Sequence, residues 1–257
     1  MTIAGSDSSG GAGIQADLKV ITLLGGYGTS VITALTAQNT MGIQGIFPVP
    51  VPFIREQLRS VLSDINIDAV KTGMLAQEDT VSLVAQTVKK FKIKKLVLDP
   101  VLVSQSGQPL LEEKAVQTLK DELFPLAGLI IPNLYEASVL TGFTVQTLPN
   151  MKKAARAIKE KIKGNVLIKG GHLSGTAIDL FYDGTSFQEF SSPRIQTKKI
   201  HGAGCTFSAA IATFWGQGFT LSNAIGKAKE FITKAIAGAQ PVGHGLKPTD
   251  PYAGLEN

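Results

Sequence analysis

The feature that most constrains this chain is the alternation of short apolar runs with stretches of helical periodicity. Between the runs, apolar residues recur three or four positions apart, as at Ile14, Leu18, Ile21 and Leu24, which is typical of one face of a helix. Strands that alternate with helices imply right-handed crossovers and a mostly parallel central sheet with helices on both faces. The predicted strands cover residues 2–5, 30–37, 69–74, 96–99, 129–132, 166–169 and 178–182.

One segment departs from this pattern and predicts a small β-hairpin. Asp183-Gly184 stands between two alternating segments, and this dipeptide is a strong signal for a tight hairpin turn. Further helices are predicted over residues 54–65, 81–88, 206–215 and 222–238. Because no linker, low-complexity stretch or internal repeat interrupts the chain, we expect a single α/β domain over residues 1–257.

Composition narrows the class of protein. With 44% hydrophobic and 18% charged residues and a net charge of +5, the chain has the balance of a folded protein rather than a disordered one. Its single cysteine excludes an internal disulfide and favours a reducing compartment. No apolar run approaches the roughly 20 residues that span a bilayer, and the first residues do not resemble a signal peptide. We therefore expect a cytoplasmic protein with no membrane partner.

The basic run from Lys89 to Lys95 invites a nucleic-acid interpretation. The run lies where a predicted helix ends before a strand, and cations are common there because they interact favourably with the helix dipole. No zinc-ligand spacing or aromatic-rich RNA-binding motif accompanies it. We expect no nucleic-acid partner.

Polar residues follow several predicted strands. In an open parallel sheet, ligands bind beyond the carboxyl ends of the strands. Carboxylates there can hold a divalent cation, a lysine can bind anionic oxygens, and glycines allow close backbone approach, which together suit phosphoryl transfer. The residues concerned are Asp7, Gln38, Asn39, Asp99, Asn133, Glu136, Lys169 and His172, with glycines at 10, 11, 13, 170 and 171.

Two glycine clusters are informative. The segment from Gly11 to Ala16 imitates the dinucleotide fingerprint G-x-G-x-x-A, but Gln38-Asn39 stands where that fingerprint wants an acidic residue. The second cluster, residues 200–211, runs into a small-residue helix whose first N–H groups can hold an anion. Cys205 lies in that first turn, so we expect the helix terminus to lower the pKa of its thiol. The alternative is a small buried residue packed against neighbouring alanines.

Several motifs together resemble one family. Gly202-Ala-Gly-Cys205 is similar to the G-[AT]-G-[CD] motif of ribokinase-like small-molecule kinases. The other segments, in the family's order and over nearly the whole chain, resemble the hydroxymethylpyrimidine/phosphomethylpyrimidine kinases (the ThiD family). These segments are residues 2–18, 31–40, 70–75, 98–101 and 132–137, Lys169-Gly-Gly-His172, and residues 201–210.

The resemblance implies a ribokinase-like sandwich with ATP as co-substrate and Mg²⁺ as cofactor. It places ATP-binding groups on Asn133 and Lys169 and metal-binding groups on Asp99 and Glu136. It also places an anion hole on Gly202, Ala203 and Gly204, and it puts Cys205 where most of the superfamily has an aspartate base. The implied substrate pocket comprises Ala12, Asp17, Gln38, Met74 and Val101. We also expect a homodimer.

The function implied is phosphorylation of 4-amino-5-hydroxymethyl-2-methylpyrimidine, and then of its monophosphate, in thiamine biosynthesis. Residues 203–207 read like the related pyridoxal kinases, and residues 242–250 replace the family's usual ending. The first alternative is therefore a pyridoxal/pyridoxine kinase of vitamin B6 salvage. A non-catalytic pyrimidine- or nucleotide-binding regulator on the same scaffold is the second.

Overall fold

The computed structural model describes residues 1–104, 107, 109–171, 176–197 and 200–255, so His172 lies outside the described residues. Within them, an eight-stranded sheet forms the centre of the molecule, with strand order β10-β9-β8-β7-β6-β5-β1-β2. All neighbouring strands from β2 to β8 pair in parallel, and β9 and β10 add an antiparallel edge. These strands are β1 (Thr2–Ala4), β2 (Ser30–Ile32), β5 (Val70–Thr72), β6 (Leu96–Leu98), β7 (Leu129–Ile130), β8 (Asn165–Ile168), β9 (Ala177–Tyr182) and β10 (Phe187–Ser192).

Helices cover both faces of this sheet, as predicted. Strand residues alternate between the two faces: Leu96 and Leu98 join the core beneath α2 to α6, whereas Val97 joins the core beneath α1, α7 and α8. The helices are α1 (Gly13–Leu23), α2 (Val51–Leu62), α3 (Glu78–Lys90), α4 (Glu113–Thr118), α5 (Leu134–Thr141), α6 (Leu148–Lys159), α7 (Ala203–Gly216) and α8 (Leu221–Ala237). A π-turn at Leu119–Leu123 and a 3₁₀ turn at Phe124–Leu126 follow α4. The predicted α/β fold class is confirmed.

The predicted strand over residues 30–37 is wrong in its extent. The chain leaves the sheet at Thr33, whose N–H bonds to the Ala4 carbonyl and whose hydroxyl donates to the Met74 carbonyl. Beyond it, β3 (Ala34–Asn39) pairs antiparallel with β4 (Gly42–Pro48), a strand that the sequence analysis missed. Gln38 therefore lies on a two-stranded ribbon beside the sheet rather than in a loop after its second strand.

The predicted hairpin is confirmed. Strands β9 and β10 pair antiparallel around Asp183-Gly184, where Gly184 adopts a φ of +104° that favours glycine. The Asp183 carboxylate accepts N–H bonds from Thr185 and Ser186, which closes the turn.

Two further observations concern the ends of elements. Helix α3 ends at Lys90 and β6 begins at Leu96, so the basic run does follow a helix C-terminus. A short parallel pair joins β11 (Ile200–His201) to β12 (Lys247–Pro248), which ties the tail to the segment before α7. In the part of the chain that the structure describes, no helix has both the length and the apolar character to cross a membrane.

Candidate active site

The loop between β1 and α1 is organised around the carboxylate of Asp7. This carboxylate accepts N–H bonds from Ser9, Gly11 and Ala12, and it lies 2.7 Å from Nε2 of His201. Burial raises the pKa of Asp7, but the bonds from His201 and Ser9 outweigh that effect and lower it to about 2. The loop is therefore built on a permanently ionised carboxylate.

The two glycine clusters pack directly on one another. Gly202 adopts a left-handed φ of +80°, and a Cβ there would collide with the carbonyl oxygen of Gly11. A Cβ on Gly11 would in turn collide with the ring of His201. Glycine is thus required at both positions, and the loop after β1 is held against the start of α7.

The first turn of α7 has the features of an anion site. Gly202 is the N-cap residue, and no side chain caps this helix terminus. A helix leaves its first N–H groups without intrahelical partners and carries partial positive charge at this end. Gly202, Ala203 and Gly204 therefore present backbone donors where an anion can bind.

A lysine and two carboxylates meet beside this turn. Lys169 directly follows β8, and its Nζ lies 2.8 Å from Oδ1 of Asp99, which directly follows β6. A Cβ built on Gly204 would lie 3.7 Å from Nζ of Lys169 and 3.8 Å from Oδ2 of Asp99. The structure thus brings both predicted residues together at the first turn of α7.

Glu136 and Asn133 complete this cluster by capping α5. The Asn133 side chain accepts the N–H of Glu136, and the Glu136 carboxylate accepts the N–H of Asn133, which is a reciprocal capping box. Burial raises the pKa of Glu136, as does the charge of Asp99, and the Lys169 ammonium only partly offsets them. Burial lowers the pKa of Lys169, but Asp99 and Glu136 outweigh it and leave that pKa raised. The lysine therefore stays protonated.

A second lysine–carboxylate pair lies fully buried, and the sequence analysis missed it. Nζ of Lys71, on β5, lies 3.0 and 2.8 Å from the two carboxylate oxygens of Asp17, on α1. The hydroxyl of Thr2 donates to Asp17 as well, at 2.6 Å. Asp17 is fully buried, and its carboxylate is engaged by Lys71 and Thr2, so its place in the substrate pocket stays a prediction. One signal for the pair was visible, a lone charged residue in a predicted strand of uncharged residues.

The thiol of Cys205 differs from the sequence-based expectation. Burial raises its pKa to about 11, and the carboxylates of Asp17 and Asp99 act in the same direction. The Lys71 ammonium and the N–H of Gly13 lower the pKa but do not compensate. The prediction of a lowered pKa is therefore wrong, because it considered the helix terminus without the burial and the neighbouring carboxylates.

We accordingly expect Cys205 to alkylate slowly. At about pH 7.5 a thiol of pKa about 11 is ionised roughly 300-fold less than an ordinary thiol of pKa near 8.5. Iodoacetamide labelling followed by mass spectrometry should give a rate that climbs with pH beyond about pH 9, where an ordinary thiol levels off. The chain has one cysteine, so the Cys205→Ser variant, which has no thiol, is the control for labelling at other residues. A rate that reaches its plateau below about pH 8 would contradict the raised pKa.

The remaining predicted pocket residues lie after strands β5 and β6, at the start of α1 and on β3. Met74 belongs to a small apolar cluster with Ala34, against which Val101 packs. Val101 has a φ of +36°, a conformation that costs a β-branched residue on the order of 1–3 kcal/mol. Ala12 is the N-cap residue of α1, and the Gln38 amide lies 3.3 Å from Nε2 of His201.

Metal-ligating residues are sparse. Among the described residues, no group of three or more His, Cys, Asp or Glu side chains surrounds a point that could hold a metal ion. Asp99 and Glu136 offer two carboxyl groups beside Lys169, and Mg²⁺ commonly takes only one or two carboxylates with phosphate and water completing its shell. The donor set present fits such a phosphate-borne ion.

Comparisons with known proteins agree with this arrangement. The family model described as phosphomethylpyrimidine kinase matches residues 7–250. The "Thiamine biosynthesis bifunctional protein ThiED" of Geobacter sulfurreducens is 50% identical over 100% of this chain and 53% of its own length. The "Hydroxymethylpyrimidine/phosphomethylpyrimidine kinase" of Bacillus subtilis is 41% identical over 100% of this chain and 96% of its own. The chain spans about half the length of the Geobacter protein and of the two plant bifunctional enzymes it also matches.

Among solved structures, an ADP complex of Bacillus subtilis pyridoxal kinase superposes with a TM-score of 0.91 at 41% identity, covering 98% of this chain and 96% of that one. This match confirms the predicted ribokinase-like architecture. The family prediction is confirmed by the model match and by relatives above 40% identity over the full chain. The chain belongs to the phosphomethylpyrimidine kinase family.

Proposed function

We propose that this chain transfers the γ-phosphoryl group of ATP to the hydroxymethyl group of 4-amino-5-hydroxymethyl-2-methylpyrimidine, and then phosphorylates the resulting monophosphate. The observation that carries the proposal is the Lys169–Asp99 pair at the uncapped first turn of α7. Phosphoryl transfer depends mainly on positioning and on neutralising charge. The Lys169 ammonium neutralises charge, and the backbone N–H groups at the first turn of α7 position the phosphoryl group.

In this proposal one group of residues binds the phosphates and a second group binds the pyrimidine. Lys169 and Asn133 bind ATP phosphates, while Gly202, Ala203 and Gly204 hold the transferred group at the helix terminus. Gln38, Met74, Val101 and Ala12 hold the pyrimidine. Cys205 lies next to the reacting hydroxyl, and it can serve as a base only if ligand binding lowers its pKa from about 11.

We further propose that Mg²⁺ accompanies ATP and that Asp99 and Glu136 hold it. When bound, the ion supplies positive charge to the phosphate oxygens. Because burial raises the pKa of Glu136, additional positive charge nearby would favour its ionised form. Asp99, already paired with Lys169, keeps Oδ2 towards the first turn of α7.

The activity is tested by measuring ADP release from ATP with the pyrimidine alcohol as acceptor. We expect acceptor-dependent ADP together with pyrimidine mono- and diphosphates in the mass spectrum. ADP without any phosphorylated pyrimidine would refute the proposal, and no ADP with any acceptor would favour the non-catalytic alternative.

A pyridoxal kinase is the second candidate, and one observation favours it. The solved relative at a TM-score of 0.91 is itself called a pyridoxal kinase. Pyridoxal also carries a hydroxymethyl group on a six-membered nitrogen heterocycle, so the same transfer step suits it. The two substrates differ in the hydrogen-bonding groups on the ring.

Gln38 is where this difference should be measurable. An amide can both donate to and accept from an aminopyrimidine edge, and methionine at this position would leave those groups unpaired. We expect Gln38→Met to raise the pyrimidine KM by about 10- to 100-fold, which corresponds to the usual cost of unmet hydrogen bonds. The ATP KM, measured in the same assays, should stay within about twofold. An unchanged pyrimidine KM would remove Gln38 from the pocket.

We also propose a cytoplasmic homodimer in which residues 1–257 form a single kinase domain. Leu35 and Phe47 are cross-strand partners on the β3–β4 ribbon, 47% and 63% exposed, and Met41 at its tip is 67% exposed. Apolar side chains grouped on one surface commonly mark an interface. Light scattering that gives the mass of one chain at micromolar concentration would contradict the dimer.

A further inference from the structure

A chain of polar contacts links the loop after β1 to the Gln38 amide. Nε2 of His201 lies 2.7 Å from Oδ2 of Asp7 and 3.3 Å from the amide nitrogen position of Gln38. The amide oxygen position of Gln38 lies 3.2 Å from Oγ1 of Thr36. Because an amide can turn by 180° and exchange these two positions, the surrounding hydrogen bonds decide which atom occupies each.

The first constraint is that the Asp7 carboxylate can only accept hydrogen bonds. Its Oδ1 already accepts the N–H and hydroxyl of Ser9, and its Oδ2 accepts the N–H groups of Gly11 and Ala12. A proton on this carboxyl would face one of those donors, so the group is ionised. Nε2 of His201, 2.7 Å away, must therefore carry a hydrogen and donate it to Asp7. It cannot accept from a Gln38 amide nitrogen.

The second constraint is the single hydrogen of the Thr36 hydroxyl. Oγ1 of Thr36 lies 2.8 Å from the carbonyl oxygen of Ser6, which can only accept, so the hydroxyl hydrogen is used there. Towards Gln38 the same oxygen is an acceptor. The Gln38 group that faces Thr36 is then the amide nitrogen, and the group that faces His201 is the amide oxygen. This orientation gives every donor an acceptor, whereas the reverse places two donors against each other.

The backbone of Gln38 is fixed as well. The hydroxyl of Ser8 accepts the N–H of Gln38 and donates to its carbonyl, both at 2.8 Å. A bulge between Ala37 and Gln38 interrupts the ribbon pairing at this residue. Ser8 of the loop after β1 therefore fixes the Gln38 backbone, while His201, which is held by Asp7, faces the Gln38 side-chain amide.

We propose that His201, held by Asp7, is a positioning residue that fixes the Gln38 amide with its oxygen towards His201 and its nitrogen towards Thr36, and so determines which heterocycle the pocket accepts. The inference rests on the proposed function, in which Gln38 contacts the ring. An aminopyrimidine edge offers an exocyclic N–H donor beside a ring-nitrogen acceptor, which complements an amide held in one orientation. A ring without that donor–acceptor order places a donor against the amide nitrogen or an acceptor against the amide oxygen. The amide cannot turn to relieve this, because turning would bring its nitrogen, a donor, against the N–H of His201.

The proton assignment is tested on the wild-type protein without substrate. Long-range ¹H–¹⁵N NMR of a histidine-labelled sample reports which ring nitrogen carries hydrogen, and the His201→Gln spectrum identifies the signal among the three histidines. We expect a hydrogen on Nε2 of His201. A ring protonated only on Nδ1 would overturn the inference whatever the enzyme's substrate is.

The functional consequence is tested with a matched pair of variants. His201→Leu removes the donor, and His201→Gln keeps an N–H near the Nε2 position. With the pyrimidine alcohol, we expect His201→Leu to raise KM about tenfold with the ATP KM within about twofold, and His201→Gln to recover at least half of that loss. The ratio of kcat/KM for the pyrimidine over pyridoxal should fall in His201→Leu.

The outcomes distinguish failure of the His201 positioning role from failure of the proposed function. If the wild-type protein phosphorylates the pyrimidine and His201→Leu leaves its KM and the substrate ratio unchanged, the positioning role is overturned. A wild-type protein that phosphorylates no pyrimidine contradicts the proposed function, and the NMR result then decides the proton assignment alone. If His201→Leu does not fold, which its circular dichroism spectrum shows, His201→Gln and the wild-type NMR result decide the inference.

Discussion

Lys169→Met should lower kcat by about 100- to 1000-fold, the usual effect of removing one preorganised donor to a transition-state oxyanion. The side chain of Lys169 is 15% exposed, and its ammonium lies 2.8 Å from Asp99 beside the first turn of α7. Its raised pKa keeps it charged at neutral pH. Methionine fills similar volume without the charge, so the charge on the transferred group would lose its nearest cation.

Two variants control this experiment. Lys169→Arg keeps the charge and should retain more activity than the methionine variant. Lys152→Met removes a lysine of α6 that pairs with Glu189 on β10, neither of which belongs to the site, and should leave kcat unchanged. Steady-state ADP release gives kcat, and the melting temperature shows that each variant is folded. A kcat within about threefold of wild type for Lys169→Met would make Lys169 a plain turn residue.

Lys71→Met should lower the free energy of unfolding by about 3–5 kcal/mol, the usual result of removing one partner of a buried ion pair. Lys71 and Asp17 are 1% and 0% exposed, and their charged atoms lie 2.8 Å apart. Without the ammonium, the hydroxyl of Thr2 would remain as a donor to the Asp17 carboxylate. Chemical denaturation followed by circular dichroism measures the difference.

The double variant Asp17→Asn/Lys71→Met is the control for this pair. It also removes the buried Asp17 charge that Lys71→Met leaves unpaired. The double variant should therefore be more stable than Lys71→Met, because replacing both members of a buried pair is often nearly neutral. Strict additivity of the two single substitutions would contradict a direct coupling between Lys71 and Asp17.

The stability of Lys71→Met should also depend on pH in a defined direction. Burial raises the pKa of Asp17, and in the wild type the Lys71 charge opposes that shift. Without Lys71 the folded-state pKa of Asp17 rises further above its unfolded value. A carboxyl with a raised folded-state pKa loses stability as pH rises. Lys71→Met should therefore be closest to wild type at acidic pH and furthest from it at neutral pH.

Much of the fold was predictable because its signals are local. The strand after α3 and the helix at 206–215 follow from apolar periodicity, and the β9–β10 hairpin follows from Asp183-Gly184. The glycines at 202 and 204 marked the start of α7 correctly. Each of these features depends on residues a few positions apart.

The features that the sequence did not reveal depend on contacts between distant residues. Lys71 and Asp17 are separated by 54 positions, and His201 and Asp7 by 194, so neither pair has a local pattern. The ribbon of β3 and β4 was missed because its strands are partly exposed and Gly42 and Gly45 interrupt the second one. The pKa of Cys205 is raised rather than lowered, because burial and two carboxylates outweigh the effect of the helix terminus.

We expect the pyrimidine alcohol to be the preferred acceptor of this protein. A competition experiment between two alcohols measures that preference directly. The wild-type protein is given limiting ATP with equal concentrations of 4-amino-5-hydroxymethyl-2-methylpyrimidine and pyridoxal, and the phosphorylated products are quantified by mass spectrometry. Their ratio equals the ratio of the two kcat/KM values. We expect pyrimidine phosphates in at least about tenfold excess. An excess of pyridoxal 5′-phosphate, or no phosphorylated product from either alcohol, would contradict it.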